Sequence, residues 1–284
     1  MNIGFIGTGS MGRAMIPLLI DAGHRVSAWN RSQETLATLD GVHVLASTAA
    51  AFQQDVVISM LADDHAVRTV LLASGILDSA DKGCIHIVMS KLCPTLMKEL
   101  QDIHLANGIP LVAAPVFGVP AVATKGELNI MVAGPPTAIA TVQPLFDVLG
   151  KQTWRMGDDP VHASIAKIAG NMMITQAIQS LGEASALAGR HGLSPATFID
   201  LMTQTLFASP SYQRYGQNIV NGAFEPGFTL SLGLKDINLA IDAARRVNLE
   251  LPAANAVRAN MTAAVARGLG HKDWSIFATE TIAR

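Results

Sequence analysis

The chain has 284 residues, of which 50% are hydrophobic and 15% are charged, and its formal net charge is −2. This balance supplies enough apolar surface for a folded core and excludes a highly charged, disordered chain. Because the sequence has no run of Lys or Arg, neither nucleic acid nor an anionic membrane is a favoured partner. The length predicts about two domains.

The first residues have the pattern of a strand rather than of a secretion signal, and no apolar run reaches the ~18 residues of a membrane span. Cys84 and Cys93 are the only cysteines, and no CxxC occurs. The sequence therefore predicts neither a disulfide framework nor a metal site. We expect a cytoplasmic protein in which both thiols are small core residues.

The first half of the chain alternates strand-like apolar runs with helical patterns such as Met11–Ala22 and Thr95–Asn107. This alternation predicts an α/β fold, a Rossmann-type doubly wound sheet that is parallel and has helices on both faces. The predicted strands are Asn2–Ile6, Arg25–Trp29, Val56–Met60, Cys84–Met89, Leu111–Ala113 and Leu128–Ala133.

The second half, from about Val161, has helical periodicity and little strand signal. A turn at Gly157–Val161 places the boundary between a nucleotide-binding domain, residues 1–160, and an all-α domain, residues 161–284. The predicted helices are His162–Arg190, Pro195–Thr205, Tyr212–Asn221, Leu234–Val247 and Leu251–Gly268.

The first of these helices is apolar nearly all round, and a helix with that pattern must be buried on all its faces. A small helical domain can barely achieve this alone, so we expect at least a homodimer. The apolar residues concerned include Met172, Met173, Ile174, Ile178 and Leu181.

The motif Gly7-Thr8-Gly9-Ser10-Met11-Gly12 follows the first predicted strand and opens a helix, which is the context of a dinucleotide-binding loop. In such a loop Gly7 makes the tight turn, Gly9 lets the backbone approach a pyrophosphate, and Gly12 lets the helix pack on the strand. The N–H groups at the start of the helix then face the phosphates.

The second predicted strand ends in Trp29-Asn30-Arg31-Ser32, with no carboxylate for a ribose 2′-hydroxyl. Arg31 can hold a 2′-phosphate as a charged partner, and Asn30 and Ser32 can add hydrogen bonds. The sequence therefore favours NADP over NAD. The alternatives are that Arg31 is a solvated surface residue or stacks on the adenine.

Lys167 lies in a helical segment whose neighbours are Ala, Ile, Met and Gly. An ammonium in such surroundings should have a lowered pKa or face a cavity, and Asn171 lies one turn further along the same face. A lysine that is partly neutral can take the proton of an alcohol as hydride leaves its carbon, and the ammonium can return it. The alternative is a lysine that extends from the helix edge to water.

A second charged pair, Lys235-Asp236, lies in an apolar segment. We expect it to open a helix, where the dipole favours Asp236. Lys235 is then placed to reach cofactor or substrate. The alternative is a charge pair of structural value only.

The sequence resembles the β-hydroxyacid dehydrogenase family over essentially its whole length, on the glycine loop, Asn30-Arg31-Ser32, Val56–Leu61, Lys167 with Asn171, and Lys235-Asp236. The resemblance implies that Lys167 is the catalytic acid and base, that Asn171 orients the substrate, and that Lys235 lies near the nicotinamide. It places cofactor contacts at Gly7, Thr8, Gly9, Ser10, Met11, Gly12, Asn30, Arg31, Ser32, Met60, Leu61, Lys91 and Lys235. It places substrate contacts at Phe117, Gly118, Val119, Asn171 and Lys235.

Two positions depart from the family pattern. Where the family has a serine that holds a substrate carboxylate and then two glycines, this chain has Phe117, Gly118 and Val119. A phenyl ring cannot donate to a carboxylate, so a larger or more apolar substrate fits this loop better, unless Phe117 packs in the core. Lys91 stands where the family has a threonine by the nicotinamide ribose, and it can face cofactor, substrate or solvent.

The favoured function is an oxidoreductase that moves hydride between nicotinamide and a hydroxy acid or carbonyl compound. One alternative is an imine reductase-like enzyme, although retention of Lys167 argues against it. Another is a non-catalytic, cofactor-binding protein on the same fold. The loop Phe207–Tyr215 is a further candidate for the pocket, in which Tyr212 and Tyr215 bind ligand or stabilise the loop.

Overall fold

The computed structural model describes residues 1–72 and 75–282. The chain divides into two compact units, Met1–Lys167 and Ile168–Arg284. The division falls inside the longest helix, Pro160–Arg190, and the domain limits 1–160 and 161–284 stay a prediction. Within the described part of the chain, none of the helices combines the length and the apolar character needed to cross a bilayer.

The first unit is built on one nine-stranded sheet in the order β3-β2-β1-β4-β5-β6-β8-β7, with β9 also paired to β8. The pairs from β3 to β6 are parallel, whereas β6 and β7 run antiparallel to β8. The strands are β1 Asn2–Ile6, β2 Arg25–Trp29, β3 His43–Val44, β4 Val56–Ser59, β5 Ile85–Val88, β6 Leu111–Ala113, β7 Val116–Phe117, β8 Leu128–Ala133 and β9 Gly150–Gly157.

Every residue of β4, β5 and β6 is buried, as expected for strands that are covered on both faces. Two separate apolar clusters pack against this sheet, one including Phe5 and Phe146 and the other Phe52 and Leu100. The helices of this unit are α1 Ser10–Asp21, α2 Thr48–Ala51, α3 Asp64–Val67, α4 Pro94–Asn107, α5 Pro120–Ala123 and α6 Pro136–Leu149.

All six strands predicted from the sequence are present. The ends of β4 and β5 differ from the predicted ends by one residue. The sequence did not reveal β9, whose segment carries Lys, Gln and Arg and is largely exposed. Because β9 lies at the edge of the sheet beside β8, it needs no apolar alternation, and periodicity could not reveal it. The two-residue strands β3 and β7 are too short to leave a pattern.

The second unit is helical, as predicted. Three helices begin with a serine or threonine cap: Ser194 caps α8, Ser209 caps α9 and Thr229 caps α10. The core packs around Trp274, which contacts Tyr215 and Phe228 edge to face. The helices from α7 onward are α7 Pro160–Arg190, α8 Pro195–Gln204, α9 Pro210–Asn221, α10 Leu230–Arg245, α11 Pro252–Ala266 and α12 Thr279–Ile282.

Helices α9 and α10 begin earlier than predicted, each at a serine or threonine cap that precedes the apolar pattern. Because α9 begins at Pro210, the segment Phe207–Tyr215 is a loop only in its first part, which corrects the prediction. Because α10 begins at Leu230, Lys235 and Asp236 lie in its second turn and do not open the helix. The helix dipole is strongest in the first turn, so it is not what stabilises Asp236.

Candidate active site

The candidate site lies at one edge of the sheet, where parallel strands end together. The register pairs Ile6 with both Trp29 and Ser59, and Val88 with both Ser59 and Ala113. The loops that leave β1, β2, β4, β5 and β6 therefore meet at this edge, which is where open parallel sheets bind their ligands. These loops carry most of the residues predicted from the sequence.

The glycine loop has the conformation that its sequence predicts. Gly7 has φ 98°, which favours glycine, and its N–H donates to the carbonyl oxygen of Trp29 over 3.0 Å. A side chain at Gly7 would overlap the carbonyl of Met60, and one at Gly12 would overlap the carbonyl of Gly7. Glycine at both positions is thus required by close backbone approach.

Gly9 differs from these two glycines because a Cβ there would meet no atom within 4 Å. It caps α1, and no side chain accepts a hydrogen bond from the first N–H groups of this helix. Open space in front of unpaired N–H groups at a helix N-terminus suits a pyrophosphate. The residues at this loop therefore fit a dinucleotide cofactor.

Asn30 braces the glycine loop from the end of β2. Its Oδ1 accepts from the N–H of Thr8 over 3.2 Å, and its Nδ2 donates to the carbonyl oxygen of Ser32 and to Oγ1 of Thr35. Thr35 was not singled out from the sequence, because its role depends on a short 3₁₀ helix, Gln33–Thr35. The side chain of Asn30 is thus engaged within the protein, and its contact with a cofactor stays a prediction.

Arg31 and Ser32 are exposed beside this network. Among the residues that the structure describes, none forms a hydrogen bond or an ion pair with either side chain. Their roles as cofactor contacts stay predictions.

The loop after β4 is fixed by its neighbours on both sides. The N–H of Met60 donates to the carbonyl oxygen of Ile6 over 2.8 Å, and the N–H of Leu61 donates to Oγ of Ser90 over 2.7 Å. Ser90 is fully buried and was not singled out from the sequence, since a serine before a lysine carries no distinctive signal. Met60 and Leu61 are held beside the glycine loop, where their proposed cofactor contacts remain to be tested.

The segment that follows β6 brings Phe117, the last residue of β7, to Lys167. The Nζ of Lys167 lies 4.2 Å from the centre of the Phe117 ring, within the range of a cation–π contact. Phe117 is half-buried and packs against the second apolar cluster as well as against the amine of Lys167. The phenyl ring that replaces the expected serine thus lies against the predicted catalytic amine.

The two residues after Phe117 behave differently from each other. Gly118 has φ 147°, and a Cβ there would lie 2.5 Å from Cδ2 of Leu128, so glycine is required. Val119 has φ −110° and precedes the short helix α5. Any residue can adopt this extended backbone, so valine causes no backbone strain at the position where the family pattern has glycine.

Lys167 has the electrostatics of a proton-transfer residue. Burial, together with a smaller contribution from the positive charge of Lys91, lowers the pKa of its amine to about 7. A group with this pKa is divided between its neutral and charged forms near neutral pH, as acid–base catalysis requires.

Asn171 follows Lys167 by one turn of α7, and its amide is held by Asp236. The Nδ2 of Asn171 donates to Oδ2 of Asp236 over 2.5 Å, and the two side chains are buried, with relative exposures of 5% and 1%. This charge-assisted bond, rather than a helix dipole, stabilises the Asp236 carboxylate. Lys235 is half-buried on the same helix, α10.

Tyr212 and Tyr215 have partners within the second unit. The Tyr212 ring stacks on Phe207 at 4.9 Å, and the buried Tyr215 ring meets Trp274 edge to face at 5.6 Å. These contacts support the stabilising role of the two tyrosines.

Comparisons with known proteins decide the family. The model of the NAD-binding domain of 6-phosphogluconate dehydrogenase matches residues 2–157. The model described as the NAD-binding domain of NADP-dependent 3-hydroxyisobutyrate dehydrogenase matches residues 162–279. The chain belongs to the β-hydroxyacid dehydrogenase family.

Individual relatives agree with this result. The uncharacterized oxidoreductase YfjR of Bacillus subtilis is 36% identical and is matched over 97% of this chain and 98% of its own length. The probable 3-hydroxyisobutyrate dehydrogenase-like 1 of Arabidopsis thaliana is 32% identical over 88% of this chain and 76% of its own length.

A solved structure shows the same architecture. The Mycobacterium tuberculosis 3-hydroxyisobutyrate dehydrogenase, determined with L-serine, superposes with a TM-score of 0.90 at 25% identity, covering 98% of each chain. As a β-hydroxyacid dehydrogenase, this protein is an NAD(P)-dependent oxidoreductase that acts on CH–OH groups. The resemblance noted from the sequence is thereby confirmed.

Proposed function

We propose that this β-hydroxyacid dehydrogenase interconverts a carbonyl compound and the corresponding alcohol with Lys167 as its general acid and base. The observation that carries the proposal is the position of Lys167: its amine is desolvated, has a pKa of about 7, and lies against the substrate loop at Phe117. When bound, the nicotinamide cofactor supplies or accepts the hydride.

Lys167 handles the proton that accompanies this hydride. In reduction, its ammonium gives a proton to the carbonyl oxygen as the carbon gains hydride, and the amine is left neutral. In oxidation, the neutral amine takes the proton from the hydroxyl oxygen as the carbon loses hydride. Acid–base assistance of this kind typically raises rates by about 10²–10⁴-fold.

Asn171 supports this step as a positioning residue. Because one N–H of its amide is bound to Asp236, the orientation of the amide is fixed, and the remaining N–H and lone pairs can contact the substrate oxygen. Lys235 is proposed to contact the cofactor or substrate from α10.

The proposed cofactor is NADP. The support is Arg31, which is exposed at the end of β2 where an NAD-binding protein has a carboxylate, and no carboxylate occupies the neighbouring positions Asn30 and Ser32. A guanidinium can bind the 2′-phosphate through two parallel hydrogen bonds.

The proposed substrate carries a larger or more apolar group than a small hydroxy acid. The support is the Phe117 ring, which takes the position of a hydrogen-bond donor and offers an apolar face beside Lys167. An imine reductase-like activity and a non-catalytic role remain the alternatives to carbonyl reduction.

The deciding experiment measures turnover of NADPH and NADH with a panel of carbonyl compounds and cyclic imines, for the native protein and Lys167→Ala. We expect carbonyl turnover that falls at least 100-fold in Lys167→Ala while NADPH affinity is retained. Turnover with imines alone would replace the proposal with imine reduction. Cofactor binding without any turnover would support the non-catalytic role.

A further inference from the structure

Lys91 is a second lysine at the candidate site, and its backbone is held in place on both sides. On one side Oγ of Ser90 accepts from the N–H of Leu61 over 2.7 Å. On the other side the N–H of Cys93 donates to Oδ1 of Asp64 over 3.1 Å. The half-buried side chain of Lys91 therefore starts from a fixed point at the carboxyl end of β5.

The sheet brings this point next to the substrate loop. Val88 of β5 pairs with Ala113 of β6, and the N–H of Ala114 donates to the carbonyl oxygen of Val88 over 2.8 Å. Phe117 follows on the same segment and contacts Lys167. Lys91 is also close enough to Lys167 for its charge to disfavour a second ammonium there. Lys91, Phe117 and Lys167 thus belong to one site.

The positive charge of Lys91 disfavours the ammonium form of the buried Lys167 amine, and a bound anion offsets that effect. The substrate loop itself no longer offers a hydroxyl for this purpose, because Phe117 has replaced it. A carboxylate beside Lys91 would receive the charge-assisted hydrogen bonds that the loop lacks.

We propose that Lys91 binds the acidic group of the substrate, so that this enzyme acts on oxo acids whose apolar substituent lies against Phe117. This inference rests on the proposed function of Lys167. It makes Lys91 a specificity-determining residue. The positive charge of Lys91, on the loop after β5, then takes the role of the neutral hydroxyl donor that Phe117 replaces in the substrate loop.

Binding and proton transfer are then coupled. A carboxylate between the two lysines favours the charged form of Lys167, and so raises the pKa of its amine. An acidic substrate therefore increases the fraction of enzyme that holds the proton needed for reduction, whereas a neutral ester of the same shape does not.

The kinetic test compares the native enzyme with Lys91→Met on apolar oxo acids and on their methyl esters. We expect kcat/KM for the acids to fall about 10- to 100-fold, the range for losing a hydrogen bond to a charged group. The esters should change less than about threefold. Equal losses on acids and esters would overturn the proposal, because they would indicate a structural role only.

The matched control is Lys82→Met, because Lys82 is exposed and precedes the amino end of β5, whereas Lys91 follows the carboxyl end. This variant should leave the ratio of acid to ester turnover unchanged. A change as large as that in Lys91→Met would show that any lost positive charge on the protein has the same effect, which would also overturn the proposal.

A second measurement needs no turnover and so separates this proposal from the proposed function. The protein is labelled with ¹³C-lysine, and the Lys167 signal, assigned with Lys167→Ala, is titrated with and without phenylacetate. Phenylacetate should raise the pKa of Lys167 in the native protein, and Lys91→Met should raise the pKa without ligand and abolish the response to phenylacetate. Identical titrations in both proteins would refute the role of Lys91 even if the enzyme reduces carbonyls.

Discussion

The Nζ of Lys167 lies 4.2 Å from the centre of the Phe117 ring. This contact joins the position where the chain departs from the family pattern to the residue that we propose for proton transfer. The electron-rich face of the ring favours the ammonium, whereas burial and the charge of Lys91 favour the neutral amine. The balance of these effects sets the protonation state on which the proposed reaction depends.

The pH profile should report Lys167 directly. Because reduction needs the ammonium, kcat/KM for a carbonyl compound should fall as the pH rises through about 7. Oxidation of the alcohol needs the neutral amine and should show the opposite slope around the same midpoint. Initial rates in both directions from pH 5 to 9 test this, and parallel slopes in the two directions would contradict it.

Substitution of Phe117 should change both the midpoint of the pH profile and the substrate preference. Phe117→Leu keeps the apolar bulk but loses the ring, whose attraction for a cation is worth about 0.5–2 kcal/mol, so the kinetic pKa of Lys167 should fall by up to about 1.5 units. Phe117→Ser adds a donor and space, and should favour glyoxylate over larger oxo acids. A pH profile and substrate ranking unchanged in both variants would show that the ring does not face the reacting groups.

Arg31→Ala should weaken NADPH binding selectively. Loss of charge-assisted hydrogen bonds to a phosphate costs about 1.5–3 kcal/mol, which corresponds to roughly 10- to 100-fold in KM for NADPH. NADH lacks the phosphate, so its KM should not change. Arg25→Ala is the matched control, since Arg25 is exposed at the opposite end of β2. Equal effects on both cofactors would argue against a 2′-phosphate contact.

A buried histidine pair predicts loss of stability in mild acid. Nδ1 of His86 lies 2.8 Å from Nε2 of His104, and Nε2 of His86 lies 2.9 Å from Oγ of Ser59. Nδ1 of His104 lies 2.7 Å from the carbonyl oxygen of Leu100, so it must carry a proton and donate. His86 then donates to His104 and accepts from Ser59, which leaves both rings neutral.

Burial lowers the pKa of His104 to about 4 and that of His86 well below its ordinary value. Between pH 6.5 and 4 these histidines bind protons in the unfolded chain but not in the folded chain, so the free energy of unfolding decreases as the pH is lowered. At roughly 1.4 kcal/mol per pH unit, His104 alone accounts for a loss of about 3 kcal/mol across this window.

Urea unfolding between pH 7 and 4 measures this loss, and His104→Leu is the test variant. It should be less stable than the native protein at pH 7, by about 1–3 kcal/mol, because the N–H of His86 loses its acceptor. Its stability should depend less steeply on pH. The same steep slope in both proteins would assign the acid sensitivity to other groups.

We expect a homodimer in solution, because α7 leaves apolar side chains exposed in the single chain. Met173 and Leu187 each have 65% relative exposure, whereas Ile178 and Leu181 on the same helix are buried. Light scattering at micromolar concentration should give about twice the chain mass of 29.9 kDa. Met173→Glu should shift the mass toward that of one chain if this face is the interface, whereas a monomeric native protein would contradict the prediction.

Local features of the sequence determined much of this fold. The glycine loop, the helix caps and the apolar runs act through neighbours along the chain, so they predicted six strands and the helices of the second unit within a few residues. They failed where a segment gains its structure from a partner: β9 is polar and exposed, and forms a strand because β8 offers it a free edge.

The candidate site was predicted as a set of residue types, and the tertiary structure decided their environment. Lys167 and Phe117 are far apart in sequence, as are Asn171 and Asp236, so neither contact could be read from spacing. The pKa of Lys167 depends on how much water surrounds it and on where Lys91 lies, and only the folded chain sets these quantities. The sequence thus determined which groups are present, while the fold determined how strongly each holds its proton.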